Sequence, residues 1–228
     1  MLKIASVQGC SPIAQGSLAS VATAPVQGGV GQAMARGCTP LSELFRGGHI
    51  LELSGRQAGK LSAVVRLITR AQEEGEPVAW VTLREEASFY PPDFATAGVD
   101  LAALVVVRLS ASAGSHGVVR AAEVLLRSGA FGLVVIDFVA GVPRGELSWQ
   151  ARLSGLLRRH DARAVLITSS THEEPSFGPL VSLRVEPSWQ EGPGKRVVLS
   201  QQLLKSKLGS PVSVSPDTRS LPAGAWKR

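Results

Sequence analysis

Glycines, a lysine and a hydroxyl fall close together in Glu52-Leu53-Ser54-Gly55-Arg56-Gln57-Ala58-Gly59-Lys60-Leu61-Ser62. These are the parts of a loop that cradles phosphate. Backbone N–H groups point at the phosphate oxygens, glycines permit close approach, the lysine neutralises charge, and a Ser/Thr hydroxyl holds Mg²⁺. Here the spacing is G-x-x-x-G-K, one residue short of G-x-x-x-x-G-K. Alternatively the loop has full length and Ser54 stands at the first glycine position. Leu61 follows Lys60 where a hydroxyl belongs, and Ser62 comes one residue later, about 100° further around a helix. Ser62 therefore cannot supply the missing ligand without remodelling.

Asp137 closes an apolar run, 133–136, and matches the acidic residue that faces Mg²⁺ in phosphate-loop proteins. A buried carboxylate needs a partner, and Lys60 can be that partner. Gly55, Gly59, Lys60, Ser62 and Asp137 thus form a candidate nucleotide site in altered form. Two readings stand side by side: ATP bound at the loop, or a Lys60–Asp137 pair holding it empty. No catalytic residue, metal or certain cofactor is assigned.

A second constellation is basic. Arg152 and Arg159 are seven residues apart, two helical turns, and share one face of a helix near 147–160; Arg158 and His160 widen its end. Such a face suits DNA phosphates, and cations near a helix C-terminus also favour its dipole. The four histidines lack ligand spacing, and Cys10 and Cys38 form no C-x-x-C. Trp226, in a stretch with no local core, is either a docking residue or idle.

The elements that must position these residues alternate along the chain. HILELS (49–54), PVAWVTL (77–83), AALVVVRL (102–109), FGLVVIDFVA (131–140) and ARAVLITSS (162–170) read as strands. Between them, 61–75, a short helix before Gly98, 116–129 and 147–160 carry helical spacing, with glycine stops at Gly75 and Gly129. Continuous apolar strands bracketed by helices predict an α/β sandwich with a mostly parallel central sheet. The more alternating 181–187, 195–204 and a piece near 207–214 predict antiparallel strands at its C-terminal edge.

The chain has 228 residues, 44% of them hydrophobic and 18% charged, enough for one α/β core and too apolar for disorder. Residues 1–36 read as a flexible arm, 37–211 as the core and 212–228 as a flexible tail. A net charge of +6 favours an anionic partner only modestly. With no membrane-length apolar run and no signal-like segment, a cytoplasmic protein is expected.

From about residue 36 to 211, the sequence resembles the RecA family. GGHILELSGRQAGK looks like that family's strand into its phosphate loop. EEASFYPPDFATAGVDLAALVVV is similar to its acidic, Pro-containing segment running into Gly-Val-Asp. VVRAAEVLLRSGAFGLVVIDFVAGVPRGEL looks like the helix, turn and acidic strand that follow, and LLKSKLGSP resembles its Lys-x-Lys strand end. The resemblance implies a RecA-like αβα sandwich. It places Lys205 and Lys207 where a filament presents lysines to a neighbour's ATP, and Arg152 and Arg159 where arginines meet DNA phosphates. Glu86, or Glu85 under a one-residue shift, takes the place of the water-activating glutamate.

The departures matter as much. Between Gly145 and Trp149 there is no room for a first DNA-binding loop. Only THEEPSFGPL (171–180) stands in place of a long Gly-rich second loop, and the sensor glutamine would fall near Ser169. An eroded phosphate loop with lost DNA loops resembles ImuA-type accessory proteins of SOS-induced error-prone translesion synthesis. That implies an ImuB-like inactive Y-family polymerase and a DnaE-type polymerase as partners, RecA as a further contact, weak single-stranded DNA binding, no membrane, and negligible ATPase activity. The alternatives are a SulA-like cell-division inhibitor, whose chains are shorter and lack a phosphate-loop remnant, and a weak DNA-dependent ATPase recombinase, against which Leu61 and the missing sensor argue.

Overall fold

The structure, a computed structural model, describes residues 38–55, 59–83, 88–138, 141, 143, 148–192, 196–209 and 213–220. The apolar runs become strands of one eight-stranded sheet: β2 (Ile50–Leu53), β3 (Val78–Leu83), β4 (Leu104–Leu109), β5 (Leu133–Asp137), β6 (Arg163–Ile167), β7 (Leu183–Gly192), β8 (Arg196–Ser206) and β10 (Asp217–Ser220). Their spatial order is β10-β8-β7-β2-β6-β5-β3-β4. The six from β7 to β4 run parallel; β8 pairs antiparallel with β7, and β10 antiparallel with β8 at the outer edge. This is the expected RecA-like α/β architecture. In β2, β3, β5 and β6 every residue is buried, as strands covered on both faces must be.

The two faces carry separate cores. Helix α2 (Gly59–Glu73) turns Ala63, Val64, Leu67, Ile68 and Ala71 onto one side, at the three- and four-residue spacing that makes a stripe. It joins α1 (Leu41–Leu44) and α3 (Pro91–Thr96) over one face, where Trp80, Phe89 and Phe94 stack with ring centroids 4.6–5.5 Å apart. On the other face lie α4 (Gly114–Ser128) and α5 (Ser148–His160), above Phe138, Trp149 and Phe177. α4 stops at Gly129, whose φ of +69° is the left-handed conformation that closes a helix. Connections run outward to β4 and then return through β5 and β6, so helices cover both faces and the turning point lies near β2.

The C-terminal edge differs from the expected tail. Residues 213–214 form β9, which pairs in parallel with β1 (Cys38–Thr39) rather than antiparallel to its sequence neighbours. β10 adds to β8, so ordered sheet continues to Ser220, beyond the predicted end of the core at 211. Pairing with distant strands supplies the order that local composition did not predict. Arm residues 1–36 and the remainder of the tail, 221–228 with Trp226, lie outside the described residues, as does Cys10.

Candidate functional site

At the centre of the sheet, β2, β6 and β5 lie side by side and their C-terminal ends converge. Lys60, in the first turn of α2, is 7% exposed and donates from Nζ to the carbonyl of Thr168, just past β6, at 2.6 Å. Burial pushes its pKa below the usual 10.5, and the nearby carboxylates of Asp137 and Glu186 oppose that shift. Asp137, at the end of β5, accepts hydrogen bonds from Thr82 Oγ1 at 3.2 Å and from Ser88 Oγ. Lys60 thus lies close enough to Asp137 to feel its charge, while the lysine's short hydrogen bond goes to Thr168.

The loop glycines have a use that does not involve phosphate. A Cβ on Gly55, whose φ is +102°, would stand 2.8 Å from Glu186 Oε1; one on Gly59 would stand 2.6 Å from the Pro187 carbonyl. At Gly59 the β7 backbone leaves no room for a side chain, and at Gly55 the positive φ together with the Glu186 side chain disfavours one. The Gly55 N–H donates to the Ser170 carbonyl at 2.7 Å, and the Ser54 N–H donates to Val185 at 3.0 Å. At the described entrance to the loop, these two donors are thus taken by the protein's own carbonyls rather than presented to a ligand. Leu61, at the Mg²⁺-ligand position, packs against the apolar cluster beneath α2, and Ser62 is half-buried one residue on. Arg56, Gln57, Ala58, Glu85 and Glu86 lie outside the described residues.

Beside this site runs a buried ionic network. Glu52, at 0% exposure on β2, faces the Arg184 guanidinium on β7 at 3.4 Å. Its carboxylate also accepts from Thr168 Oγ1 (3.2 Å), Ser176 Oγ (3.0 Å) and the Phe177 N–H (2.9 Å). Arg184 in turn donates to Ser54 Oγ and to the carbonyls of Glu174 and Thr171. The segment 171–180 is thereby fastened to the sheet. Lys205 and Lys207 fasten it further: Lys205 Nζ donates to Ser176 Oγ (3.2 Å) and the Gly178 carbonyl (2.8 Å), and Lys207 Nζ to Pro179. Burial and the neighbouring Lys207 charge push the Lys205 pKa down.

Sequence reading missed this network, although part of its signal was visible: Glu52 is the one charged residue in the apolar run ILEL, and a charge buried there demands a partner of opposite sign such as Arg184 in VSLRVEP.

The predicted arginines separate. Arg158 and Arg159 are exposed in the last turn of α5, and Arg158 donates to Ser154 Oγ at 2.9 Å. Arg152 is half-exposed, but its Nε donates to Glu123 on α4 at 2.8 Å and it reaches Ser148 Oγ. Among the described residues no group of His, Cys, Asp or Glu is placed to hold a metal ion, and no helix is long and apolar enough to cross a membrane.

No family model matches the chain. Over 106 residues, 45% of its length, the chain is 35% identical to Protein RecA of a Nocardioides species. The matched stretch is 29% of that protein, so the chain covers less than a third of its relative. This similarity and the mostly parallel sheet together support a RecA-like superfamily protein.

Proposed function

We propose that this RecA-like chain is an accessory protein of SOS-induced, error-prone translesion DNA synthesis that holds partners together without turning over ATP. One observation carries the reading: the charged groups that would serve nucleotide and DNA loops are bound within the chain. Lys60 is hydrogen-bonded to Thr168, and Lys205 and Lys207 to Ser176, Gly178 and Pro179. A phosphoryl-transfer site needs its lysine and metal ligand free for the γ-phosphate and Mg²⁺. Here Leu61 packs into the core and Glu186 lies against Gly55.

The sequence resemblance supplies the rest of the proposal. The partners are an ImuB-like inactive Y-family polymerase, through it a DnaE-type polymerase, and RecA itself. DNA is touched weakly, through phosphates, by Arg158 and Arg159 at the exposed end of α5, since no long loop is present there to insert between bases. The test is twofold. ATP hydrolysis with and without single-stranded DNA is expected at background, and the protein is expected to co-purify with an ImuB-like partner. DNA-stimulated turnover lost in Lys60→Ala would replace this reading with that of a recombinase.

A further inference from the structure

We propose that the groove between α4 and α5 docks an acidic, amphipathic helix of a partner protein. The groove has a volume of about 730 Å³, and its walls include His116, Arg120, Val124 and Arg127 from α4 and Arg152 from α5, with Trp149 below. Both helices follow parallel strands and pack on the same face of the sheet, so they run in the same direction. The site follows from these side chains alone and holds whatever pathway the protein serves.

On α4, His116, Arg120, Val124 and Arg127 succeed one another by four, four and three residues and are all exposed, which places them in one stripe. Arg120 and Arg127 are two turns apart, about 10 Å along the axis. Arg152 and Arg159 repeat that interval on α5. Glu123 is the one carboxylate among the lining residues, and Arg152 engages it at 2.8 Å. No carboxylate of the described residues lies within ion-pair distance of Arg120 or Arg127. Arg120 and Arg127 therefore form a row of cations along one wall of the groove, with Arg152 on the facing wall and Arg159 outside the lining.

A helix lying along the groove has the same repeat. Carboxylates at its positions i and i+7 come into register with Arg120 and Arg127, and an apolar residue at i+3 or i+4 meets Val124, which is 62% exposed between them. Charge complementarity then selects acidic helices over basic ones. Single-stranded nucleic acid fits less well. It gains most from exposed aromatic rings on which bases stack, and the aromatic ring of the groove, Trp149, is only 5% exposed. An apolar side chain at the centre of the basic row also offers nothing to phosphate.

The test uses the full chain and fluorescence anisotropy. The probe is a labelled helical peptide of about three heptads with Glu at i and i+7 and Leu at i+4; a second has Lys in place of Glu. The variants are Arg120→Glu/Arg127→Glu and Val124→Asp, all at exposed positions, with circular dichroism checking that the fold is kept. The acidic peptide is expected to bind wild type and to lose about tenfold or more in affinity with either variant, a change of the size expected for an interface charge or apolar anchor. The basic peptide is expected to prefer the double variant. The proposal is overturned if the acidic peptide fails to bind wild type at about 100 μM or binds the double variant equally well. It is also overturned if oligothymidylate binding falls more than peptide binding in the double variant, which would make the groove a nucleic-acid site.

Discussion

Lys60 in the first turn of α2 and Arg184 on β7, opposite Glu52 of β2, are 7% and 3% exposed, and each is held by groups of its own chain. Arg120 and Arg127 on α4 stand in solvent beside an open groove. The first region lies where α/β folds ordinarily bind ligands, at the strand ends near the turning point of the sheet. Yet Gly55 and Gly59 lie against β7, the Ser54 and Gly55 N–H groups meet carbonyls, and Lys60 and Arg184 face Thr168, Asp137, Glu186 and Glu52. The second region has no such ancestry of motif, but its Arg120 and Arg127 meet no carboxylate of the described residues. A basic residue marks a binding site only when the fold leaves its partner missing.

The sharpest way to break this contrast is at Glu52. Glu52→Leu strands the Arg184 guanidinium in a buried site and frees the segment 171–180. The expected loss is about 3–5 kcal/mol of unfolding free energy, the range for removing one member of a buried ion pair. Urea denaturation measures it, and a loss below about 1 kcal/mol would mean that the network does not hold the region. Lys60→Met comes next. It removes the donor to Thr168 and the cation facing Asp137 and Glu186, with an expected loss of about 1–3 kcal/mol near neutral pH.

Added nucleotide sharpens the comparison from the other side. With Lys60 and the Gly55 N–H already paired, millimolar Mg-ATP is expected to raise Tm by no more than about 1–2 °C. Binding at a Kd near the ligand concentration contributes only about 0.4 kcal/mol. A rise of about 5 °C or more, lost in Lys60→Ala, would show a working nucleotide site.

The depressed pKa of Lys60 has a signature in pH. The unfolded lysine keeps its proton up to about 10.5, whereas the folded one releases it at lower pH. Between the two values the unfolded state binds more protons, so this residue's contribution to stability rises with pH through that window. Urea midpoints at pH 8, 9 and 10 are expected to rise more steeply in wild type than in Lys60→Met; parallel profiles would place the lysine in water.

The smallest stability effect is expected on α5. Arg158→Ala/Arg159→Ala changes exposed side chains and is expected to alter stability by no more than about 0.5 kcal/mol. The same variant is expected to weaken single-stranded DNA binding and flatten its salt dependence, read by anisotropy across a salt series. An unchanged salt slope would remove this helix end from the DNA contact.

Periodicity and turn residues determined the architecture. Apolar runs at 50–53, 78–83, 133–137 and 163–167 can only be strands covered on both faces, and the stripes at 59–73 and 114–128 can only be helices that cover them. The altered loop was equally legible, because Leu61 after Lys60 is a matter of residue type. What the sequence could not determine was which distant group each charge meets. Local pattern does not encode contacts across the sheet: Glu52 with Arg184 across 132 positions, Glu186 against Gly55, β1 with β9, or Arg152 with Glu123. The tail shows the same division, since residues 217–220 read as mobile alone but order as β10 once β8 offers its edge. Residue types set which chemistry was available at the loop and on α5. Only the tertiary structure decided that Lys60 is answered within the chain while Arg120 and Arg127 meet no carboxylate of the described residues, because pairing depends on distances that folding alone creates.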